Sequence, residues 1–259
     1  MNYYISGQSG FLGTAITNYL NRNHLNEVLQ EHRIVTKVYP IQRGQSIKAL
    51  KKMFDNMPAP DYIIHLAAYG NQYYQKNFIE VVKANIIGTY NLLEAVKGFD
   101  YKTFYNLSTS SVTFFDKPTY YSITKLCAEQ LAGMYENVIN VRPYSIYGPG
   151  EQKHRFIPTV IDCLNTGSEM ILDERACHDW VYIDCAIEAL FAGATRIGTG
   201  IKTSNLEVIK ILEEISGKKL KYKSGTLRVY DNEDWVCKEG VPDIGLREGL
   251  KRTYEYYSK

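Results

Sequence analysis

Short apolar segments alternate with amphipathic segments along the first 143 residues. The apolar segments are rich in β-branched and aromatic residues, which favours strands, whereas the amphipathic segments repeat apolar residues at helical spacing. The predicted strands are residues 2–6, 33–41, 61–68, 102–108 and 137–143, and the predicted helices are residues 11–23 or beyond, 46–54, 78–96 and 122–135. Helices between strands act as right-handed crossovers, so this pattern predicts an α/β fold with a doubly wound parallel sheet.

The alternation loosens after Pro143, where residues 147–158 are predicted to form a loop. The elements predicted beyond it are a helix over 159–167, a strand followed by a helix within 178–195, a strand over 200–205, and helices over 206–217 and 245–257. No repeat, low-complexity tract or linker divides the sequence. We therefore expect a sheet domain over residues 1–143, a smaller lobe over residues 144–259 packed against it, and a ligand in the cleft between them.

Composition argues against several classes of partner. The 30 basic and 28 acidic side chains give a net charge of +2, so no general attraction to nucleic acid or to a membrane surface is expected. No apolar run approaches the roughly 18 residues of a membrane helix, and the first residues lack the features of a signal peptide, so we expect a cytoplasmic protein. Five scattered cysteines without CxxC spacing predict neither a disulfide framework nor a zinc site, and no metal is expected.

Three glycines, Gly7, Gly10 and Gly13, stand between the first predicted strand and the first predicted helix. Gly7 would permit a tight turn, Gly10 would let the backbone approach a pyrophosphate, and Gly13 would let helix and strand pack closely. The free N–H groups of the helix start would then bind the phosphates, so the segment predicts a dinucleotide site. The other predicted cofactor contacts in this loop are Ser9, Phe11 and Leu12.

The end of the second strand decides between NAD and NADP. No Asp or Glu occurs from His32 through Phe54, and the predicted strand ends next to Gln42 and Arg43. A basic side chain there suits a 2′-phosphate, so Arg43 favours NADP. A strand that ended earlier would put Glu31 in the same place and favour NAD instead.

Tyr121 and Lys125 lie four residues apart at the start of a predicted helix, and so on one face of it. An ammonium one turn away favours the phenolate and lowers the pKa of the phenol. Tyr121 would then exchange a proton with a substrate hydroxyl or carbonyl near neutral pH, and Lys125 would also reach the nicotinamide ribose.

These features together resemble the extended short-chain dehydrogenase/reductase family, whose NAD(P)-dependent epimerases, dehydratases and reductases act on nucleotide sugars. The segments that carry the resemblance are, in chain order, GQSGFLG, DYIIHLAA, NIIGTYNLLEA, NLSTSS, YSITK, RPYSIYGPG, HDWVYIDCAIEAL and GLREGLKRTYEYY. The resemblance implies a Rossmann-like dinucleotide-binding domain over residues 1–143 and a substrate-binding lobe over residues 144–259. It also implies a homodimer that pairs the helices around residues 78–96 and 122–135.

The resemblance implies roles for individual residues. Tyr121 matches the catalytic acid/base, Lys125 its ribose-binding partner, and Thr109 the residue that hydrogen-bonds the substrate oxygen, with Ser108 and Ser110 as alternatives for that last role. The further cofactor contacts that it implies are Leu66, Ala67, Ala68, Asn85, Lys125, Pro143 and Tyr144. The substrate contacts that it implies are Tyr69, Ser110, Ser111, Ser145, Arg155 and His178.

The sequence departs from the family pattern at positions that bear on the reaction. Dehydratases carry an Asp–Glu pair directly after the catalytic threonine, where this chain has Ser110 and Ser111, so dehydration is not expected. His178 stands where an Arg contacts the substrate diphosphate, and Ser145 stands where an Asn is expected. A histidine cannot bind a diphosphate in the two-pronged manner of Arg, so Arg155 or Lys153 would have to compensate if a diphosphate is bound.

We therefore favour an enzyme that reduces a 4-keto nucleotide sugar with NADPH, Tyr121 acting as acid/base. The alternatives are a nucleotide-sugar 4-epimerase that retains NAD, an enzyme acting on a substrate without a nucleotide, and a non-catalytic NADP-binding regulator built on the same fold. Phe114 and Phe115 either line the sugar pocket or pack in the core.

Overall fold

The computed structural model describes residues 1–29, 37–72, 74–113, 118–225 and 235–259, so Glu31, Phe114 and Phe115 lie outside the described residues. The chain divides into two compact units, Met1–Arg142 and Pro143–Lys259. Across the described ranges, no helix is both long enough and apolar enough to cross a membrane.

The first unit is built on a parallel sheet. Its strands are β1 (Asn2–Ser6), β2 (Lys37–Ile41), β3 (Tyr62–His65), β4 (Thr103–Leu107) and β5 (Val138–Pro143), adjacent in the order β2-β1-β3-β4-β5. The chain passes from β1 outward to β2 and then returns to build β3, β4 and β5 on the other side of β1. This reversal makes the sheet doubly wound and puts the switch point between β1 and β3. The predicted Rossmann-like α/β fold is confirmed.

Helices connect the strands of this sheet. They are α1 (Phe11–Leu29), α2 (Ile47–Asp55), α3 (Phe78–Val82), α4 (Gly88–Val96) and α5 (Tyr120–Ala132). Ring and aliphatic side chains from strands and helices form one buried cluster, which includes Tyr4, Leu50, Phe54, Ile63, Leu93 and Phe104. Helix α5 begins two residues before its predicted start, because Thr119 and Ser122 form a reciprocal capping box.

The predicted helix over residues 78–96 is not continuous. A π-helical segment, Lys83–Ile87, separates α3 from α4, and within it Asn85 is completely buried. π-Bulges of this kind are frequent at functional sites, and here the bulge brings the side chain of Asn85 to the segment that follows β3.

The second unit combines small sheets with helices. Its elements are β6 (Ser145–Tyr147), α6 (Phe156–Thr166), β7 (Glu169–Leu172), β8 (Cys177–Tyr182), α7 (Ile183–Phe191), β9 (Arg196–Ile197), β10 (Lys202–Ser204), α8 (Asn205–Ser216), β11 (Lys221–Ser224) and α9 (Leu246–Tyr257). Strand β8 pairs with β6 in parallel and with β10 antiparallel, while β7 and β11 form a separate parallel pair.

Several elements of this unit differ from the prediction. The predicted loop over residues 147–158 overlaps β6 and the first turn of α6, which starts at Phe156 rather than at residue 159. Pro158 is compatible with that first turn, because its missing N–H would have no partner within the helix. Strands β6, β7, β9 and β11 were not predicted, since each is short and pairing partners are not visible in the local pattern.

Candidate active site

The glycine loop joins β1 to α1 in a conformation that requires glycine. Gly7 has φ +75°, and a Cβ atom there would lie 2.9 Å from the backbone nitrogen of Ala67. A Cβ atom on Gly13 would lie 2.6 Å from the Cα atom of Gln8, so Gly13 packs against the loop itself rather than against a strand as expected. The amide of Gly10 donates to the carbonyl of Gly7 at 3.0 Å, which closes the turn.

The loop has the properties of an anion site. Helix α1 begins at Phe11, directly after the turn, so the first backbone N–H groups of a long helix point towards the loop. Helix starts of this kind bind phosphate through those groups and through the helix dipole. Ser9 is exposed at the tip of the loop, and Phe11 and Leu12 are half-buried at the helix start.

Arg43 lies where the predicted strand boundary puts it. Strand β2 ends at Ile41, and the guanidinium of Arg43 lies 5.2 Å from the centre of the Tyr69 ring. Its Nη1 atom also donates to the carbonyl of Ala68 at 3.4 Å. Strands β2, β1 and β3 are adjacent and parallel, so their carboxyl ends lie at the same edge of the sheet. Arg43, which follows β2, therefore lies at the same edge as the glycine loop, which follows β1.

Asn85 holds the segment after β3 against α5. Its Oδ1 atom accepts from the backbone N–H of Tyr69 at 2.9 Å, and its Nδ2 atom donates to the carbonyl of Tyr69 at 2.8 Å. Nδ2 also donates to Oγ1 of Thr124 at 2.9 Å. The resulting bridge fixes Tyr69 relative to the helix that carries Tyr121 and Lys125.

A buried chain of hydrogen bonds runs beneath the switch point. The amide of Ala67 donates to Oγ of Ser6 at 3.2 Å, Ser6 Oγ lies 2.6 Å from Nδ1 of His65, and His65 Nε2 lies 2.9 Å from Oγ1 of Thr89. Thr89 donates its proton to the carbonyl of Asn85 at 2.7 Å, so it accepts from Nε2 and Ser6 donates to Nδ1. This pattern describes a neutral imidazole.

The burial of His65 and the charge near it also favour a neutral imidazole ring. Burial, reinforced by the positive charge of Lys125, lowers the pKa of His65 to about 3, so the ring stays neutral at physiological pH. In the sequence, His65 stands out only as part of the DYIIHLAA segment. A lone histidine at the end of an apolar strand was the available signal for this network.

Lys125 is a buried cation one turn after the partly exposed Tyr121. The side chain of Lys125 is almost completely buried. Burial lowers the pKa of Lys125 from 10.5 to about 8, and the negative charge of Glu129 opposes this shift. Glu129 is itself held by Arg142 through two guanidinium nitrogens at 2.6–3.2 Å.

The hydroxyl cluster after β4 differs in exposure from residue to residue. Ser108 and Ser110 are buried, whereas Thr109 and Ser111 are partly exposed. Oγ1 of Thr109 lies 3.0 Å from Oγ of Ser111 and accepts from its backbone N–H at 3.2 Å. Accessibility therefore favours Thr109 over Ser108 and Ser110 as the hydroxyl that meets a ligand.

The remaining predicted residues lie in the second unit. Oγ of Ser145 lies 3.3 Å from Nδ1 of His178, whose ring packs 4.9 Å from that of Trp180.

Arg155 forms an ion pair with Glu151 at 3.5 Å, and burial raises the pKa of Glu151 to about 7 while Arg155 opposes the shift. Pro143 and Tyr144 begin this unit, and the amide of Tyr144 donates to the carbonyl of Ile197 at 2.8 Å.

Asp179, the neighbour of His178, is fully hydrogen-bonded. Its carboxylate accepts from the backbone N–H and hydroxyl of Thr199 and from the N–H groups of Gly200 and Cys237, at 2.6–3.0 Å. These bonds make Asp179 the anchor of two loops, a role that the sequence did not indicate. Within the described ranges, no group of three His, Cys, Asp or Glu side chains is arranged to hold a metal.

Similarity to known proteins extends over most of the chain. The sequence model of the NAD-dependent epimerase/dehydratase family matches residues 3–203. A UDP-glucuronate 4-epimerase of Thermodesulfobacterium geofontis is 26% identical over 99% of this chain and 96% of its own length. A CDP-abequose synthase of Salmonella typhimurium is 25% identical over 88% of this chain and 86% of its own length. The solved UDP-glucuronic acid 4-epimerase from Bacillus cereus, in complex with UDP-glucuronic acid and NAD, superposes with a TM-score of 0.80 at 23% identity, covering 100% of this chain and 99% of that one.

Proposed function

The chain belongs to the NAD-dependent epimerase/dehydratase family, and from that premise we propose that it reduces a 4-keto group of a nucleotide-activated sugar with NADPH. The observation that carries the proposal is Lys125, a buried ammonium one turn after Tyr121. A buried cation is costly unless hydrogen-bond acceptors surround it, and a ligand can supply such acceptors. Ribose hydroxyls are such acceptors.

The residues of the first unit fit a dinucleotide. The glycine loop and the start of α1 would hold the pyrophosphate, Arg43 the 2′-phosphate, and Lys125 the ribose next to the nicotinamide. The glycine loop is consistent with this assignment, because a Cβ atom at Gly7 or Gly13 would collide with the backbone of neighbouring residues. When bound, the dinucleotide supplies the hydride that is exchanged with the substrate carbon.

Tyr121 moves the proton of the reaction. Its hydroxyl donates to the keto oxygen as that oxygen becomes an alkoxide, so the sugar gains one hydroxyl and the phenolate is left to regain a proton from solvent. Lys125 stabilises the phenolate, since its ammonium is protonated below its pKa of about 8. Thr109, the accessible hydroxyl after β4, orients the substrate oxygen.

Epimerisation at C4 is the second candidate. The relative from T. geofontis and the structure from B. cereus are both named as 4-epimerases, and the latter holds NAD. The same Tyr121 and Lys125 serve that reaction, because removal and return of the hydride need the same proton transfer. Dehydration is not proposed, since Ser110 and Ser111 provide no carboxylate for proton abstraction.

Replacing Arg43 by Ala is expected to weaken NADPH binding about tenfold or more, because charge-assisted hydrogen bonds to a phosphate contribute about 1.5–3 kcal/mol. NADH has no 2′-phosphate, so its affinity is expected to change less than about twofold. Calorimetric titration of both cofactors into both proteins measures the difference, and the exposed neighbour variant Lys48→Ala is the matched control.

The same purified protein distinguishes the two candidate reactions. A reductase consumes one NADPH for each 4-keto nucleotide sugar and carries no tightly held cofactor through purification. Tightly retained NAD, with epimers interconverted and no net consumption of cofactor, would replace the reductase by the 4-epimerase and remove the role of Arg43.

We further propose that two copies of the chain pair through the helices of the first unit. Large apolar side chains are exposed on α3, the π-helical segment, α4 and α5, namely Phe78, Ile79, Ile87, Tyr90, Tyr120 and Ile123. The rings of Phe78 and Tyr120 lie 4.6 Å apart, and exposed apolar surface shared between neighbouring helices typically marks an interaction site. A second copy presents the same helices, so a two-fold arrangement buries both sets at once.

The variant Ile123→Arg is expected to convert the dimer into a monomer, because it puts two unpaired charges into a desolvated helix interface. Light scattering coupled to size-exclusion chromatography gives the mass directly. Ile201→Arg, at an exposed isoleucine of the second unit, is the control and should leave the mass at twice that of the chain. A wild-type protein that is monomeric at high concentration contradicts the proposal.

A further inference from the structure

A four-residue segment after β3, residues 67–70, contacts two parts of the proposed dinucleotide site. A Cβ atom on Gly7 of the glycine loop would lie only 2.9 Å from the backbone nitrogen of Ala67, so the loop and the segment are in direct contact. The carbonyl of Ala68 accepts from Arg43, which follows β2. The segment therefore links the loop proposed to hold the pyrophosphate to the cation proposed to hold the 2′-phosphate.

The backbone of Tyr69, the third residue of this segment, is fixed by hydrogen bonds to side chains. Its N–H and its carbonyl both bond to the side chain of Asn85, at 2.9 and 2.8 Å, and Asn85 is completely buried. The next amide, that of Gly70, donates to Oε1 of Gln75 at 2.8 Å. These bonds use backbone atoms of the segment, so replacing the side chain of Tyr69 should leave the path of the chain unchanged.

The half-buried ring of Tyr69 packs against the guanidinium of Arg43. The centre of the guanidinium lies 5.2 Å from the centre of the ring, within the range of a cation–π contact. A long exposed side chain such as Arg43 loses conformational freedom when it binds a ligand, and a guanidinium that is already held in place loses less. The ring and the carbonyl of Ala68 carry no formal negative charge, so they hold Arg43 without neutralising it.

We propose that Tyr69 is a positioning residue for cofactor choice. Its ring holds the guanidinium of Arg43 where the 2′-phosphate of NADPH binds, and so favours NADPH over NADH. The inference rests on the proposed function, since it assumes that Arg43 binds the 2′-phosphate. It gives Tyr69 a role through Arg43 in place of the substrate contact that the resemblance implies.

Replacing Tyr69 by Leu removes the ring but keeps an apolar side chain. Calorimetric titration is expected to give an NADPH affinity about three- to tenfold lower, which corresponds to the loss of a partly buried cation–π contact. The affinity for NADH should change less than about twofold, because NADH offers Arg43 no phosphate. Tyr69→Phe is the matched control, since it keeps the ring and removes only the hydroxyl, and both affinities should stay within about twofold of wild type.

A double-mutant cycle shows whether Tyr69 acts through Arg43. If it does, Tyr69→Leu lowers the NADPH affinity of the wild-type protein but changes that of Arg43→Ala by less than about twofold. A purely structural role of Tyr69 would give the same loss in both backgrounds, because the effects of sites that do not interact are additive.

The outcomes separate this inference from the proposed function. An Arg43→Ala variant with unchanged NADPH affinity overturns the role of Arg43 in the proposed function, and the inference with it. If Arg43→Ala weakens NADPH binding, that role stands. The inference alone is then overturned by a Tyr69→Leu variant that binds NADPH as wild type does, that loses NADH affinity equally, or that keeps its loss in the Arg43→Ala background.

Two further variants complete the test. A Tyr69→Phe protein that binds NADPH as weakly as Tyr69→Leu also overturns the inference, since the hydroxyl rather than the ring would then be responsible. If Tyr69→Leu does not fold, Tyr69→Met is titrated in its place with the same expected and contradicting results.

Discussion

The variant Tyr121→Phe is expected to lower kcat by about 10²–10⁴-fold, the usual contribution of a positioned general acid. Loss of one hydroxyl removes the proton donor but leaves the ring and its packing, so dinucleotide affinity should stay within about twofold. A decrease in kcat with unchanged cofactor binding is the signature of an interaction made only during the reaction. Single-turnover kinetics with saturating cofactor measures it.

Tyr120→Phe is the matched control for this variant. Tyr120 is the preceding residue in α5, its side chain is 58% exposed, and its ring packs against Phe78 rather than beside Lys125. Its replacement should leave kcat unchanged. An unchanged kcat for Tyr121→Phe would show that the proposed mechanism is wrong.

The first unit was largely predictable because its strands are locally distinctive. Segments such as residues 61–68 combine apolar and β-branched residues over a short length, and glycines or polar residues separate them from the helices. These signals are local, so a parallel α/β sheet follows from their order alone. Strand β2 ends at Ile41, which agrees with the predicted boundary that puts Gln42 and Arg43 at the end of the strand.

Features that depend on long-range contacts were not predictable. The π-helical segment at Lys83–Ile87 depends on Asn85 bonding to Tyr69 and Thr124, which are distant in sequence. Strand β11 has the polar sequence KYKS and exists because it pairs with β7. Local periodicity contains no information on such partners.

The candidate site was likewise predictable where its residues are close in sequence and not where they are distant. The spacing of Tyr121 and Lys125 and the glycine loop were visible in the sequence, because they lie within single turns of the chain. The buried chain through Ser6, His65 and Thr89 joins residues 24–59 positions apart, so only the folded structure reveals it. The degree of burial of Lys125, which sets its pKa, is likewise a property of the packing.

Replacing Lys125 by Met is expected to stabilise the protein without cofactor while impairing its function. A pKa lowered from 10.5 to about 8 means that the buried ammonium costs about 3 kcal/mol of unfolding free energy at neutral pH. Met keeps most of the side-chain volume and removes the charge, so urea titration at pH 7 should give an unfolding free energy higher by roughly that amount. Dinucleotide affinity should fall about 10–100-fold, because a charge-assisted contact to ribose is lost.

The pH dependence of stability separates this cause from a general packing effect. The folded state releases the Lys125 proton near pH 8 and the unfolded state near pH 10.5, so between these values the unfolded state binds more protons and the wild-type unfolding free energy rises with pH. Lys125→Met should lack this rise, whereas the exposed-site control Lys51→Met should keep it. A Lys125→Met protein that is less stable than wild type at pH 7, or that keeps the rise between pH 8 and 10.5, would show that the ammonium is solvated or paired in the folded state. Its assignment to the cofactor ribose would then lose its physical basis.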